Sequence, residues 1–517
     1  MIDPKFGARL PPMKTVCICA FIFALALVLA ARPGFAENDT PAIEIGSELS
    51  LSEAVDLALG HNLDLKIQRT EVDDSRQGLQ IVKSDFDPEL TSSTNSNFSL
   101  SPRSSTQLDG ASQPERRSAS LDAGLNKKLE TGATIGLRSE ILDRSKTNSS
   151  FTTLNPEFNT ALRLQVRQPL LKNAGFHYNL SPIRIAELRI DESNQQLLGA
   201  LLETLRETEN RYWTVVAAEE EREIITRSIE LAEFIVDEAE GREGVGLATE
   251  TDVLEAKSSL AERRELLLQA QANVAAGRDQ LYALLGLIRV ADPSAARFEK
   301  LPEHIELKCD PSASFERARQ RAPSLQIASI QAEVRREEVS RQRNQLQPQL
   351  DLVFSTGALG RDGTFGGAQS SVADIDGHFW DVGFEVTVPL GNRAERAQLR
   401  QSENALERAK LTEENTLIDL YTLVRAACRD VELSYKRYEA TESTIEFARS
   451  SLEKQRERYR NEDDVTIRDV LLAQNDLDSA LFRQVQAQIR ELAAIVQLAE
   501  VEGTLPERYG LKLGEEE

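Results

Sequence analysis

The sequence predicts a mainly α chain with a β-barrel portion, and three observations lead there. Several Gly- and Pro-poor segments are too long for membrane-spanning helices, two intervening regions switch to alternating polarity, and the whole pattern is written twice. The expected architecture is a pair of duplicated long coiled-coil helical units with about four strands, too few to close a barrel within one chain.

Met1 to Ala36 has the layout of a secretory signal: a basic start ending at Lys14, an apolar run from Val16 to Ala31, and a small-residue site at Gly34-Phe35-Ala36. The run is short for a stable anchor, and no Cys follows the cleavage point to accept a lipid. A chain starting near Glu37 loses four basic residues and one acid, so its formal charge moves from −23 to −26. Such a surface repels phosphate backbones, and no basic stripe with interleaved aromatics offsets it, which argues against nucleic acid as a partner.

Segments 52–85, 182–240, 250–287, 310–346, 394–459 and 466–502 are rich in Glu, Arg, Gln, Ala and Leu and read as helices. Val253, Leu260, Leu267, Val274, Leu281 and Ile288 recur every seven residues, and Ala473, Ala480, Ala487 and Ala494 form a small-residue column. That period is a coiled-coil signature, and alanine columns let helices approach closely. The regions 86–168 and 347–388 read as strands instead. Leu162, Leu164 and Val166 interleave with Arg163, Gln165 and Arg167, while Val382, Phe384, Val386 and Val388 interleave with Gly383, Glu385 and Thr387. Each strand therefore has one apolar and one largely polar face.

Two repeats are expected, 37–300 and 301–505, followed by an acidic tail, 506–517. Asp87-Pro88-Glu89-Leu90 opens the first strand region as Gln347-Pro348-Gln349-Leu350 opens the second, and the regions close on Val166 to Leu170 and on Val386 to Leu390. Thr251-Asp252-Val253-Leu254 recurs as Arg468-Asp469-Val470-Leu471, and at that offset Ala256 maps to Ala473 and the helix-ending Gly286 to Gly503. One register held over such a span implies an internal duplication.

Cys17 and Cys19 leave with the signal; secretion permits one bridge between Cys309 and Cys428, although two distant cysteines read more readily as free, buried thiols. The four histidines, His61, His177, His304 and His378, are scattered and read as surface or capping residues, and Trp213 as helix-packing core. With no Gly-x-Ser-x-Gly elbow, His-Glu-x-x-His site or phosphate loop, no catalytic, cofactor or metal site is expected.

At 1.5 Å per residue, helices 182–240 and 394–459 are roughly 90 and 100 Å long, against about 30 Å for a bilayer core. The shorter helices of each repeat, stacked end to end, match one long helix. Strands near 90–100, 160–168, 349–357 and 380–388 suit a bilayer, and Phe379 and Trp380 suit its interface. A barrel of four strands cannot close, and an open edge in lipid leaves unpaired backbone groups, so the barrel reading requires several chains. The first strand region is roughly twice as long as the second. Its extra alternating segments, Leu121 to Lys127 and Ala133 to Leu137, leave an extracellular hairpin and two added strands both open. A soluble sheet capping a helical bundle is the rival architecture.

Leu49 to His61 (LSLSEAVDLALGH), Gln168-Pro169-Leu170-Leu171, Tyr212-Trp213, and Val245 to Leu254 (VGLATETDVL) resemble the TolC-like outer-membrane efflux protein family, in an order that covers nearly all of residues 48–505. The resemblance implies a homotrimer with four strands per chain in a twelve-stranded outer-membrane β-barrel. The barrel would continue as an α-barrel tunnel into the periplasm, giving passive exit to substrates from an inner-membrane transporter coupled through a periplasmic adaptor. It implies no catalysis. It also places an adaptor-docking tip at Val245, Gly246, Leu247, Ala248 and Thr249, and acidic rings that narrow the entrance at Asp252 and Asp469. Glu255 is a further candidate for that gate, because Leu472 stands where the family's second repeat has its next acid. The second turn, Asn461 to Thr466, is acidic and lacks the Gly-Leu pattern of the first. The bland alternative for Asp252 and Asp469 is helix capping. The competing function is a structural periplasmic coiled-coil or adaptor protein, which would not need duplicated helices with strands at one shared end.

Overall fold

The computed structural model describes residues 48–103, 105–287, 296–302, 304, 307–461 and 465–511. The expected signal, Ile288 of the heptad column and the last residues of the acidic tail lie outside the described residues.

The first repeat opens with β1 (Glu48–Leu49), α1 (Leu51–His61) and α2 (Leu63–Lys83). The single helix expected over 52–85 is thus two, broken at Asn62. Its Oδ1 accepts from the Leu65 amide at 3.0 Å and caps α2, while its Nδ2 donates to the Leu284 carbonyl at 2.9 Å. Four strands follow, β2 (Glu89–Leu100), β3 (Glu115–Lys128), β4 (Thr134–Thr147) and β5 (Glu157–Pro169). The repeat ends with α3 (Phe176–Gly244), α4 (Glu250–Leu284) and β6 (Arg297–Phe298), which pairs in parallel with β1. Helix α3 starts earlier than expected, at Phe176, because Asn179 folds back and donates to the Asn173 and Gly175 carbonyls.

The second repeat copies this layout with α5 (Pro311–Arg321), α6 (Pro323–Gln345), β7 (Gln349–Asp362), a short helix α7 (Phe365–Ala373) and β8 (Gly377–Thr387), then α8 (Arg393–Asn461) and α9 (Ile467–Glu502). Here too the expected single helix, 310–346, is broken. Pro323 starts α6 and holds Ala322 extended, the usual consequence of a proline at the first helical position. The likeness of the two halves reaches the break itself, an 11-residue helix followed by one of 21 or 23 residues in each.

Helices α3 and α8 have 69 residues each, about 104 Å at 1.5 Å per residue. As expected from the lengths, α2 and α4 pack along α3, and α6 and α9 along α8. No helix among the described residues is long and apolar enough to cross a membrane. One core cluster gathers Leu49, Ala54, Tyr212, Trp213, Leu281 and Leu285, so Trp213 is packing core. Burial pushes the Tyr212 hydroxyl up to about 12. It donates to the Leu49 carbonyl at 2.8 Å and accepts from the Glu299 amide at 3.0 Å, which ties β1 and the inter-repeat linker to α3.

Two expectations are corrected in this region. Cys309 and Cys428 are not free thiols but a disulfide, because α5 packs on α8 through Ala318, Ala322, Val424 and Ala427 and brings the two Cα atoms to 5.4 Å. His304 is not a surface residue: its ring stacks on Tyr435 and Tyr438, and its Nδ1 lies 2.8 Å from the buried carboxylate of Glu491.

The strands form one antiparallel sheet in the order β2-β3-β4-β5-β7-β8. The chain thus contributes six strands where about four are expected, and the open alternative for the long first region resolves as two added strands. Register across the sheet aligns Leu90, Leu125, Leu137, Leu164, Thr356 and Trp380 on one face. The adjacent row, Thr91, Gly124, Arg138, Arg163, Gly357 and Phe379, lies on the other. Trp380 stands on the apolar face, 70 % exposed. Phe379 does not share it, since successive side chains alternate, and Arg163 stacks over its ring at 5.2 Å on the polar face.

Candidate functional site: the helical tip and the polar face of the sheet

The C-terminal ends of α3 and α8 and the starts of α4 and α9 lie at the end of the molecule remote from the sheet. After Gly244 the chain closes a Schellman motif: Leu247 N–H donates to the Arg242 carbonyl at 2.8 Å and Gly246 N–H to the Glu243 carbonyl at 2.9 Å. That motif needs a left-handed residue, which is why glycine stands at 246, with φ +77. Val245 and Leu247 flank it and are 70 % and 58 % exposed, an apolar pair presented to solvent at the tip. Ala248 and Thr249 lead into α4, with Thr249 as its cap.

Asp252 completes a capping box. Its Oδ2 accepts from the Thr249 amide and hydroxyl, both at 2.8 Å, while the Asp252 amide donates to Thr249 Oγ1 at 3.3 Å. Asp469 is placed alike at the start of α9, its Oδ2 accepting from the Thr466 amide at 2.9 Å and the hydroxyl at 2.7 Å. These hydrogen bonds hold the Asp469 carboxyl below its ordinary value. Glu462, Asp463 and Asp464 of the second turn lie outside the described residues.

The structure joins the two tips. Glu255 of α4 meets Arg468 of α9 at 2.5 Å, and Glu238 of α3 meets Arg460 of α8 at 2.6 Å. Arg242 stacks over Tyr459 at 4.7 Å, and Ile235, Ala239, Val253, Leu452, Ile467 and Val470 share one core. Asp252, Glu255 and Asp469 thus come to a single level of the helical wall.

Farther along the helices lies a buried polar knot that the sequence reading missed. Arg263 of α4, 3 % exposed, donates through Nε to Ser228 Oγ at 2.8 Å and through Nη2 to Asn475 Oδ1 at 2.8 Å, with Asp478 Oδ2 at 3.4 Å. Ser228 in turn donates to Asp478 at 2.6 Å. Burial lowers the guanidinium's proton affinity and raises that of the Asp478 carboxyl, each opposed by the other's charge. A signal existed, since Arg263 interrupts the seven-residue column Ala256, Ala270, Gly277 with a charge.

At the other end, the polar face of the sheet carries paired charges. Arg167 bridges Asp351 at 2.8 Å and Glu385 at 2.7 Å, and Arg138 lies 3.5 Å from Asp122. This face curves into a hollow lined by Thr91, Asp122, Arg138, Glu140 and Arg163. No cluster suited to a metal ion occurs among the described residues.

Comparison with known proteins agrees with this geometry. The outer-membrane channel OprN superposes with a TM-score of 0.66 at 18 % identity, covering 92 % of this chain and 99 % of that one. VceC from Vibrio cholerae gives 0.63 at 18 % identity over 88 % and 96 %, and the CmeC channel of Campylobacter jejuni 0.65 at 17 % over 88 % and 85 %. At such identities the likeness establishes the fold, long helices carrying a membrane sheet. A comparison with curated protein sequences returns no match. The family model for the outer membrane efflux protein matches residues 54–287 and 315–504, one stretch in each repeat. The chain belongs to the outer membrane efflux protein family, with its sheet in the outer membrane and a large periplasmic portion.

Proposed function

We propose that the chain is one protomer of a homotrimeric exit duct, through which substrates delivered by an inner-membrane transporter and a periplasmic adaptor leave passively. The observation that carries this reading is the arrangement of the two ends. A two-faced sheet with unpaired edges suits a shared membrane barrel, and about 100 Å away both repeats end in turns at one level.

Val245 to Thr249 form the docking tip in this reading, since an exposed apolar pair on a rigid Schellman turn offers a partner surface without a folding cost. Asp252 and Asp469 act as helix caps and, repeated around a threefold axis, as acidic rings at the entrance. The two roles are compatible, because the capping hydrogen bonds fall on Oδ2 of each carboxylate and do not use Oδ1. Glu255 contributes through its ion pair with Arg468, which would have to part for the two helical hairpins to separate.

The test reads conductance and export together. In planar bilayers, Asp469→Ala is expected to raise single-channel conductance and lower cation preference. Val245→Glu with Leu247→Glu is expected to abolish export in cells while leaving conductance unchanged. A purified chain that is a water-soluble monomer would overturn the duct. Unchanged conductance and selectivity in Asp469→Ala would remove that residue from the gate.

A further inference from the structure

We propose that β8 of one protomer pairs with β2 of the next, so that three copies close an eighteen-stranded barrel rather than the twelve-stranded one that four strands per chain would build. This rests on the homotrimer proposed above. Its independent content is the strand count and the way the wall closes.

The first argument is that β3 and β4 are part of the wall. β2 pairs with β3 continuously from Glu89 with Asn126 to Leu100 with Glu115, and β4 pairs with β5 from Thr134 with Arg167 to Ser145 with Glu157. A hairpin hanging outside the membrane would lack such full-length neighbours on both sides.

Second, the β3–β4 turn is fixed at the helical end. Gly175 N–H, just before α3, donates to the Thr131 carbonyl at 3.0 Å, and Gln168 Nε2 donates to the same carbonyl at 3.3 Å. Gly132 adopts φ +89 there, and a Cβ at that position would strike the Asn173 carbonyl. The added hairpin therefore runs the whole depth of the sheet, from its outer loops to the junction with the helices.

Third, the added strands obey the same division of faces. Leu125 and Leu137 continue the apolar row from Leu164 to Leu90, and Arg138 and Asp122 continue the charged row of the polar face. A hairpin folded into the lumen would have no reason to keep leucines in line with the lipid-facing row.

Closure then follows from the edges. Among the described residues β2 and β8 each pair on one side only. In hydrocarbon an unpaired backbone group has no water to bond, so an open edge is strongly disfavoured. β2 runs away from the helices and β8 runs back towards them, so β8 beside the next copy's β2 is antiparallel, like every other pair in this sheet. Barrel diameter grows roughly linearly with strand number, so the bore would be about 1.5-fold that of a twelve-stranded barrel. It would fall in the range of porins, which hold open aqueous channels. Selection of cargo would then belong to the helical end, and the membrane segment would pass bulky hydrophilic solutes.

Strand counting by electron microscopy of the protein in lipid nanodiscs tests this directly. Cysteines at Ser92, Thr94 or Ser96 paired with cysteines at Trp380, Val382 or Phe384 test the joint itself. The expected results are eighteen strands and crosslinks between protomers in native outer membranes. A trimer with twelve wall strands would overturn this inference and leave the duct standing, whereas a monomer would overturn the duct. A variant with residues 115–147 replaced by a short turn joins β2 directly to β5. It is expected to remain trimeric and to admit smaller polyethylene glycol maleimides from outside to a cysteine at Arg163 than the full-length chain with that substitution. An unchanged size limit would count against the wide bore.

Discussion

The charged residues of the helical region divide by burial, and their response to pH and substitution divides with them. Asp469 is half-buried at the start of α9, and its carboxyl is lowered by the Thr466 hydrogen bonds. A lowered carboxyl stabilises the fold fully above its unfolded value of about 3.9 and loses that contribution as pH falls through the folded value. Spin-label mobility at residue 465 should therefore stay constant from pH 8 to 5 and rise only below about pH 4. Asp478 runs the other way, because burial raises its carboxyl and ionisation of that group opposes folding. Arg263 offsets this by donating into the same site. Arg263→Met leaves a buried carboxylate with only Ser228 as partner and should cost about 3–5 kcal/mol. Adding Asp478→Leu should return most of it, measured as shifts in denaturant midpoint. A single variant as stable as the wild type would show that the knot is solvated.

At the scale of elements, the joints carry the strain and the staples. Gly286 ends α4 in a Schellman motif, with Leu287 N–H donating to the Tyr282 carbonyl at 3.0 Å. It has φ +70, and a Cβ there would collide with the His61 carbonyl at the α1–α2 break. Gly286→Ala should lose about 1–3 kcal/mol, the ordinary range for a non-glycine forced into that conformation, with the collision placing it at the upper end. Gly246→Ala, with open space around it, should lose less; equal losses in thermal midpoint would show that contact at Gly286 is unimportant. The Cys309–Cys428 bond spans 119 positions and holds α5 to α8 across the whole second strand region. Closing a loop of that length is worth about 4–5 kcal/mol in the chain-entropy account. Reductant should lower the thermal midpoint of the wild type, and Cys428→Ser should match the reduced protein and no longer respond.

Over the whole molecule, the single chain leaves large apolar residues uncovered that the proposed trimer would cover. Leu411, Ile418 and Phe447 on α8 and Leu63, Ile67 and Ile81 on α2 are all more than half exposed. They lie on helices of the periplasmic wall rather than on the membrane sheet, so lipid does not account for them. In the proposed trimer these side chains would pack against a neighbouring copy. Ile418→Glu should weaken the proposed trimer, read as loss of the slow band in mild detergent electrophoresis. Loss of that band with no change in the isolated protomer's helix content would locate the effect in assembly.

The duplicated layout, the helix spans and the two-faced strands were legible in the sequence because each follows from local period and capping chemistry. Gly246, Gly286 and Gly503 mark helix ends as glycine should, and Thr249 with Asp252 and Thr466 with Asp469 mark helix starts. The breaks at Asn62 and Pro323 had signals of the same kind that helical periodicity overrode. The Cys309–Cys428 bond, the packing of His304 on Tyr435, Tyr438 and Glu491, and the Arg263 knot had at most a faint trace, because each depends on which helix lies beside which. The place of β3 and β4 within the sheet belonged to tertiary structure for the same reason. Alternation shows that a segment has two faces, and only pairing with β2 and β5 decides whether those faces belong to a loop or to the barrel.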